Sequence, residues 1–275
     1  MGKALIFGGL NVQNPLQILD FEEEDLDVTR IAECFANITS TQSAALKKLV
    51  KSLKVAGTFD KLSYLILPAI AGSVDEAIRN VMVDSDNIPD TTNMSLTGNL
   101  LFVNTSVTVT NYIKPGTLNS KNLAMGLFVD WSEHPFPSGI YSERALRVNN
   151  GYAVYRDDGK FGYNDGTGLA DGNITKSYAK TKYKIGMSTD IDNLTTKFIY
   201  AEDTVETYQI DSSAPITVTD TASVILSGQR YVEGDSKTYR VFTGGYKILW
   251  VSSLLTEAEL VATHKAFDEF ITSLS

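Results

Sequence analysis

Lys247-Ile248-Leu249-Trp250-Val251-Ser252-Ser253-Leu254-Leu255-Thr256-Glu257-Ala258-Glu259-Leu260 carries the reading of the fold. Residues 247–251 are a short apolar run with an aromatic and β-branched side chains, the pattern of a buried strand. Thr256 and Glu259 then stand three apart as a capping box, in which each side chain satisfies the other's backbone N–H at a helix start. Leu260, His264, Phe267, Ile271 and Leu274 follow at helical spacing and form one apolar stripe. A strand that runs straight into an amphipathic helix lays that stripe back on the sheet it has left. Trp250 is therefore expected to be buried beneath the last helix.

Upstream, from about residue 95, strand-like runs recur at 100–103, 106–110, 124–129, 182–187, 196–200, 205–210 and 223–226. Residues 145–148 and 152–155 flank Asn149-Asn150-Gly151, a hairpin signal, because Asn-Gly tolerates the positive φ of a tight turn. Further turns fall at Asp157-Asp158-Gly159, Asn164-Asp165-Gly166 and Glu233-Gly234-Asp235. This spacing predicts a mainly β protein, a sandwich or jelly roll.

The first third differs in texture. Residues 1–26 hold short apolar runs broken by Gly8-Gly9 and Asn14-Pro15, ending in the acidic run Glu22-Glu23-Glu24-Asp25. They lack the apolar mass for a core of their own, so they read as an attachment arm, with Leu5, Phe7, Leu10, Leu19 and Phe21 as its contact residues. In the next segment Ser40 or Thr41 caps a helix through Val55, with Leu46, Leu49, Val50 and Leu53 on one face and Gly57 at its C-terminal stop. A buried strand is expected over 64–71, stopped by Gly72. These readings divide the chain into an arm (1–26), a helical stalk and linker (27–92), and a sandwich with a C-terminal helix (93–275).

Composition narrows the function classes. The 275 residues are 43% hydrophobic and 21% charged, ordinary for a folded chain. A net charge of −9 excludes the basic face that nucleic acid or an anionic membrane requires. The single cysteine, Cys34, rules out an intrachain disulfide and a thiolate metal cluster, and reads as a buried structural thiol. The apolar run near Met1 is too short for a signal segment, so synthesis in the cytoplasm without a signal peptide is expected.

Two stretches carry a resemblance. Residues 43–67, SAALKKLVKSLKVAGTFDKLSYLIL, look like the helix, turn and buried-strand module of bacteriophage virion proteins. Residues 244–274, which open GGYKILWVSSLLTEAELVATHKAF, are similar to the closing strand and helix of concanavalin-like, laminin-G-like domains. The resemblance implies a concanavalin-like sandwich in a structural virion protein, a head or tail fibre or decoration subunit. It also implies other virion proteins, of capsid or tail, as partners and a homo-oligomer, with a trimer formed through residues 27–63. The alternative is a carbohydrate-binding receptor module that contacts a host-surface glycan.

Candidate chemistry is sparse, and no enzyme is expected. A retaining glycoside hydrolase needs two carboxylates about 5 Å apart, and the Glu-x-Asp-x-x-Glu spacing that supplies them is absent. His134 and His264 are the two histidines. His264 sits on an apolar stripe and reads as a core residue. Trp131, His134 and Phe136, in the Pro-rich stretch Trp131-Ser132-Glu133-His134-Pro135-Phe136-Pro137, are the candidate ligand-binding residues, since aromatic side chains in a loop suit stacking on a sugar. Asp157, Asp158 and Asp165 are candidate calcium ligands, oxygen donors in a turn-rich stretch; no other cofactor is implied.

The arm generates a test. Deleting residues 2–21 is expected to leave the melting temperature of the free protein unchanged and to abolish incorporation into particles. A large fall in melting temperature with incorporation retained places the arm in the subunit's own core.

Overall fold

The computed structural model describes residues 25–83, 90–103, 107–109, 114, 117–120, 122–130, 143–148, 152–157, 160–165, 174–177, 182–190, 192–200, 202–209, 218–219, 224–228 and 244–275. Among these, helices and strands follow in the order α1 (Leu26–Ala32), α2 (Ser40–Val55), β1 (Leu62–Ile66), α3 (Val74–Ile78), β2 (Met94–Thr97), β3 (Leu100–Val103), β4 (Val107–Val109), β5 (Asn119–Ser120), β6 (Leu123–Asp130), β7 (Glu143–Val148), β8 (Tyr152–Asp157), β9 (Lys160–Asp165) and β10 (Ile174–Ser177). The remainder are β11 (Lys182–Asp190), β12 (Thr195–Tyr200), β13 (Glu202–Gln209), β14 (Val218–Thr219), β15 (Val224–Gly228), β16 (Gly245–Ser253) and α4 (Glu257–Ser273).

The strand quoted first is the axis of the larger sheet. Along one side β16 pairs antiparallel with β6; along the other it pairs with β3 near its start and with β1 near its end. The sheet runs β13-β12-β11-β6-β16-β3-β2, with β1 beside β3 on the far edge of β16. A second antiparallel sheet runs β10-β9-β8-β7-β15-β4 and contains the expected Asn-Gly hairpin, in which Val148 faces Tyr152. One hydrophobic core joins the two sheets: Met125, Leu127, Met187 and Phe198 of the larger are buried in it with Leu146, Val148, Val224 and Leu226 of the smaller. The fold is thus a mainly antiparallel β-sandwich with a C-terminal helix, as the strand spacing predicted.

The opposite face of the larger sheet carries α4. Gly126 of β6 stands in register between Gly186 of β11 and Trp250 of β16, so two glycines lie side by side next to the tryptophan. A Cβ on Gly126 would fall 2.6 Å from two atoms of the Trp250 indole and 2.5 Å from the Ile185 carbonyl oxygen. One on Gly186 would fall 3.4 Å from the same ring. The indole therefore needs glycine at 126 as its floor, whereas at Gly186 the tightest approach is to Ile199 Cγ2, at 2.9 Å. From above, Phe267 of α4 stacks on the indole at 6.2 Å between ring centroids and 24° between planes. Trp250 is wholly buried, as expected, and so are Leu260, His264 and Phe267; Ile271 and Leu274 pack at the margin.

α4 starts at the predicted capping box: Thr256 Oγ1 accepts from Glu259 N and Glu259 Oε2 accepts from Thr256 N. Glu259 also takes a 2.6 Å salt bridge from Lys61 in the 3₁₀ turn that precedes β1. Burial disfavours charge on Glu259, but the hydrogen bonds from Lys61 and Thr256 outweigh it and hold the carboxyl below the usual glutamate range.

Four expectations need correction. The N-cap of α2 is Thr39, not Ser40 or Thr41, because Gln42 three residues on completes a capping box with it. The strand expected over 64–71 ends at Ile66, since Pro68 lacks an N–H and starts a 3₁₀ turn. Cys34 is partly exposed rather than buried. Residues 27–92 are not a separate stalk: β1 belongs to the main sheet, and α2 buries Leu46, Leu49, Val50 and Leu53 against the same core, packed along α4. The premise for a trimer through residues 27–63 goes with it, because the apolar stripe is covered within one chain.

Two outcomes follow from this packing. Trp250→Ala is expected to destabilise by about 3–5 kcal/mol as a large-to-small core change, and Gly126→Ala by at least about 1–3 kcal/mol through overpacking. Chemical denaturation measures both, and losses under about 0.5 kcal/mol, the size of ordinary surface changes, contradict the glycine floor. Because the folded pKa of Glu259 is lowered, its contribution is present above the ordinary glutamate value of 4.5 and lost as pH falls through the folded value. Lys61→Met is expected to flatten the acid limb of stability against pH, and an unaltered limb contradicts that coupling.

Candidate functional site

The strand that carries Gly126 continues to Phe128, Val129 and Asp130, and there the larger sheet opens a pocket beneath the C-terminal half of α4. The pocket holds roughly 180 Å³ and is lined by these three residues with Lys184, Lys247, Asp268 and Ile271. Four separate elements meet in it: the end of β6, the start of β11, the start of β16 and the last turns of α4.

Each side chain is placed by a definite feature. Phe128 stands in register between Lys184 on β11 and Ile248 on β16, and its ring packs 5.3 Å from the His264 ring and 6.2 Å from the Phe267 ring. The floor of the pocket is therefore continuous with the aromatic packing around Trp250. Lys184 reaches up to Asp268 of α4 in a 2.5 Å salt bridge. Tyr246 pairs with Val129 and Ile248 with Phe128, so two residues of β16 span one step of β6 and Lys247 is the extra residue of a β-bulge. A bulge of this kind re-aims a side chain out of the regular alternation, and Lys247 lines the pocket as a result. Apolar walls with a few convergent charged groups are the composition of small-molecule sites.

The residues singled out from sequence fall as follows. Trp131, His134 and Phe136 lie outside the described residues, in the chain that directly follows Asp130. Leu5, Phe7, Leu10, Leu19 and Phe21 lie outside them too, as does Asp158. Asp157 and Asp165 do not form one calcium site. They stand at opposite ends of the β8–β9 hairpin, where Asp157 pairs with Lys160 and Asp165 with Tyr152. Five residues of strand separate those ends by about 17 Å, whereas ligands of one calcium ion lie about 2.3–2.6 Å from it. Within that turn-rich stretch, residues 160–165 form a strand. His264 is buried in the core, as its stripe position implied. Among the described residues no group of three or more His, Cys, Asp and Glu side chains is placed to hold a metal ion.

Sequence reading missed Phe128, Lys184, Lys247 and Asp268. The one available signal was Trp131, which follows the end of a strand whose last residues form the pocket.

No family model and no curated protein matches the chain. Among solved structures it is similar to the binding domain of botulinum neurotoxin serotype D/C, at 9% identity and a TM-score of 0.50, over 79% of this chain and 53% of that one. It is also similar to the CBM40 of the Ruminococcus gnavus IT-sialidase bound to alpha2,3 sialyllactose, at 14% identity and a TM-score of 0.36, over 53% of this chain and 82% of that one. A third likeness is to botulinum neurotoxin type C, whose cell entry depends on interaction with two ganglioside molecules: 9% identity, TM-score 0.41, over 62% of this chain and 40% of that one. The chain spans about half, or less, of the neurotoxin structures it matches. At such identities the likeness concerns the fold.

Proposed function

We propose that this protein is a glycan-binding module, and that the pocket at the end of β6 is its site. The observation that carries the reading is a cavity of roughly 180 Å³ in which the small exposed part of Phe128, 4% of the residue, meets the carboxylates of Asp130 and Asp268. A sugar ring has one face rich in C–H and a rim of hydroxyls. Its face packs on an aromatic ring, and its hydroxyls donate to carboxylates, which accept through two oxygens each. The cavity is smaller than the roughly 300–1,000 Å³ of drug-sized sites, which suits one terminal sugar rather than a long chain. The sandwich shared with a neurotoxin binding domain is compatible with it.

The virion setting rests on the resemblance of residues 43–67 and 244–274. In that setting the sandwich is displayed from the particle, other virion proteins hold the N-terminal region, and the pocket meets a host-surface glycan. Co-sedimentation of the chain with assembled particles supports it, and recovery only in the soluble fraction contradicts it.

A glycan array probed with the full chain tests the binding reading. Retention on a defined set of terminal sugars is expected. Asp268→Ala is expected to weaken it at least about tenfold, or 1.4 kcal/mol, with the melting temperature within about 2 °C of the parent, since Asp268 is partly exposed. No retention on any glycan overturns the reading.

A further inference from the structure

We infer that Lys247 receives a carboxylate, so that the preferred ligand of the pocket is an acidic sugar, a pyranose that carries a carboxyl group; this rests on the glycan-binding reading above. Two cations line the pocket, and they differ in what holds them. Lys184 is committed to Asp268 at 2.5 Å. The ammonium of Lys247 has no ion-pair partner among the described residues, although Asp130 and Asp268 line the same cavity.

The backbone adds the second argument. In a regular strand Lys247 would alternate with Tyr246 and Ile248. The bulge breaks the ladder at that step, placing one extra residue, the lysine, opposite the Val129–Phe128 step of β6. A surface lysine needs no such device to reach water. A lysine at the wall of an apolar cavity, with Phe128 and Ile271 beside it, gains from an incoming anion because the low-dielectric surroundings strengthen the pair. The two aspartates do not defeat this. The charge of Asp268 is answered by Lys184, and Asp130 is buried and engaged in an interaction of its own. The site thus offers one cation for a carboxylate and acceptors for neighbouring hydroxyls, which is the charge pattern of an acidic sugar.

The experiment compares sugars that differ only in the carboxyl group, each titrated against the full chain: methyl glucuronide against methyl glucoside, and the methyl glycoside of N-acetylneuraminic acid against its carboxyl-reduced alcohol. At least one acid is expected to bind tenfold or more tightly than its neutral counterpart at low salt. That ratio should shrink at about 0.5 M salt, where the screening length falls to a few ångströms. Lys247→Gln is expected to bring the ratio close to one, and Lys247→Arg to keep a preference for the acid. Equal affinity for acid and neutral forms in the parent protein, or an acid preference that survives Lys247→Gln, overturns the inference while leaving the glycan reading in place. Failure to bind any of the four sugars overturns the inference, and only the absence of retention across the whole glycan array overturns the glycan reading as well.

Discussion

The indole of Trp250, resting on Gly126 and Gly186, is the contact from which the rest of the structure takes its positions. It requires β6 and β16 to be adjacent and in register, because Gly126 must lie under the ring, and β11 brings Gly186 beside it. A one-residue slip of any of these strands would turn its inward residues outward and bring a side chain under the indole. The same contact fixes α4, whose Phe267 stacks on the upper face of the ring. Helix α2 and strand β1 then pack on what α4 and β16 present. Burial in this structure is thus organised on both faces of a single sheet, with the second sheet on one face and the helices on the other.

The pocket inherits this arrangement. Phe128 is two residues beyond Gly126 on the same face of β6, and its ring touches both Phe267 and His264 of α4. A change that lifts α4 off Trp250 would also open or collapse the cavity beneath Asp268 and Ile271. Stability and binding are therefore coupled through α4. The contacts that position the cavity are buried, while Lys184 and Lys247 are held by one salt bridge and one bulge.

Sequence alone carried the local features well. The capping box at Thr256, the stripe of α4, the burial of Trp250 and the Asn-Gly hairpin are all set by residues within a few positions of one another. What failed was non-local. β1 joins β16 across more than 180 residues, as the bond from Ser63 to the Val251 carbonyl shows, and no local pattern distinguishes that strand from part of a stalk. The pocket is assembled from Phe128, Lys184, Lys247 and Asp268, which meet only because three strands and a helix do. The bulge at Lys247 leaves no mark in composition, and β9 was hidden because Asn164 and Asp165 read as turn residues. Gly98-Asn99, a two-residue turn with positive φ at both positions, was a hairpin signal that sequence reading could have used.

The most direct test of this account is to map, by backbone and methyl chemical shifts, where a retained glycan acts on the intact protein. The account predicts that the largest changes cluster at Phe128, Val129, Asp130, Lys184, Lys247, Asp268 and Ile271, with smaller ones spreading along α4 to Phe267 and Trp250. Changes centred on the smaller sheet, or on the groove between the start of α2 and the end of α4, with the end of β6 silent, would contradict it.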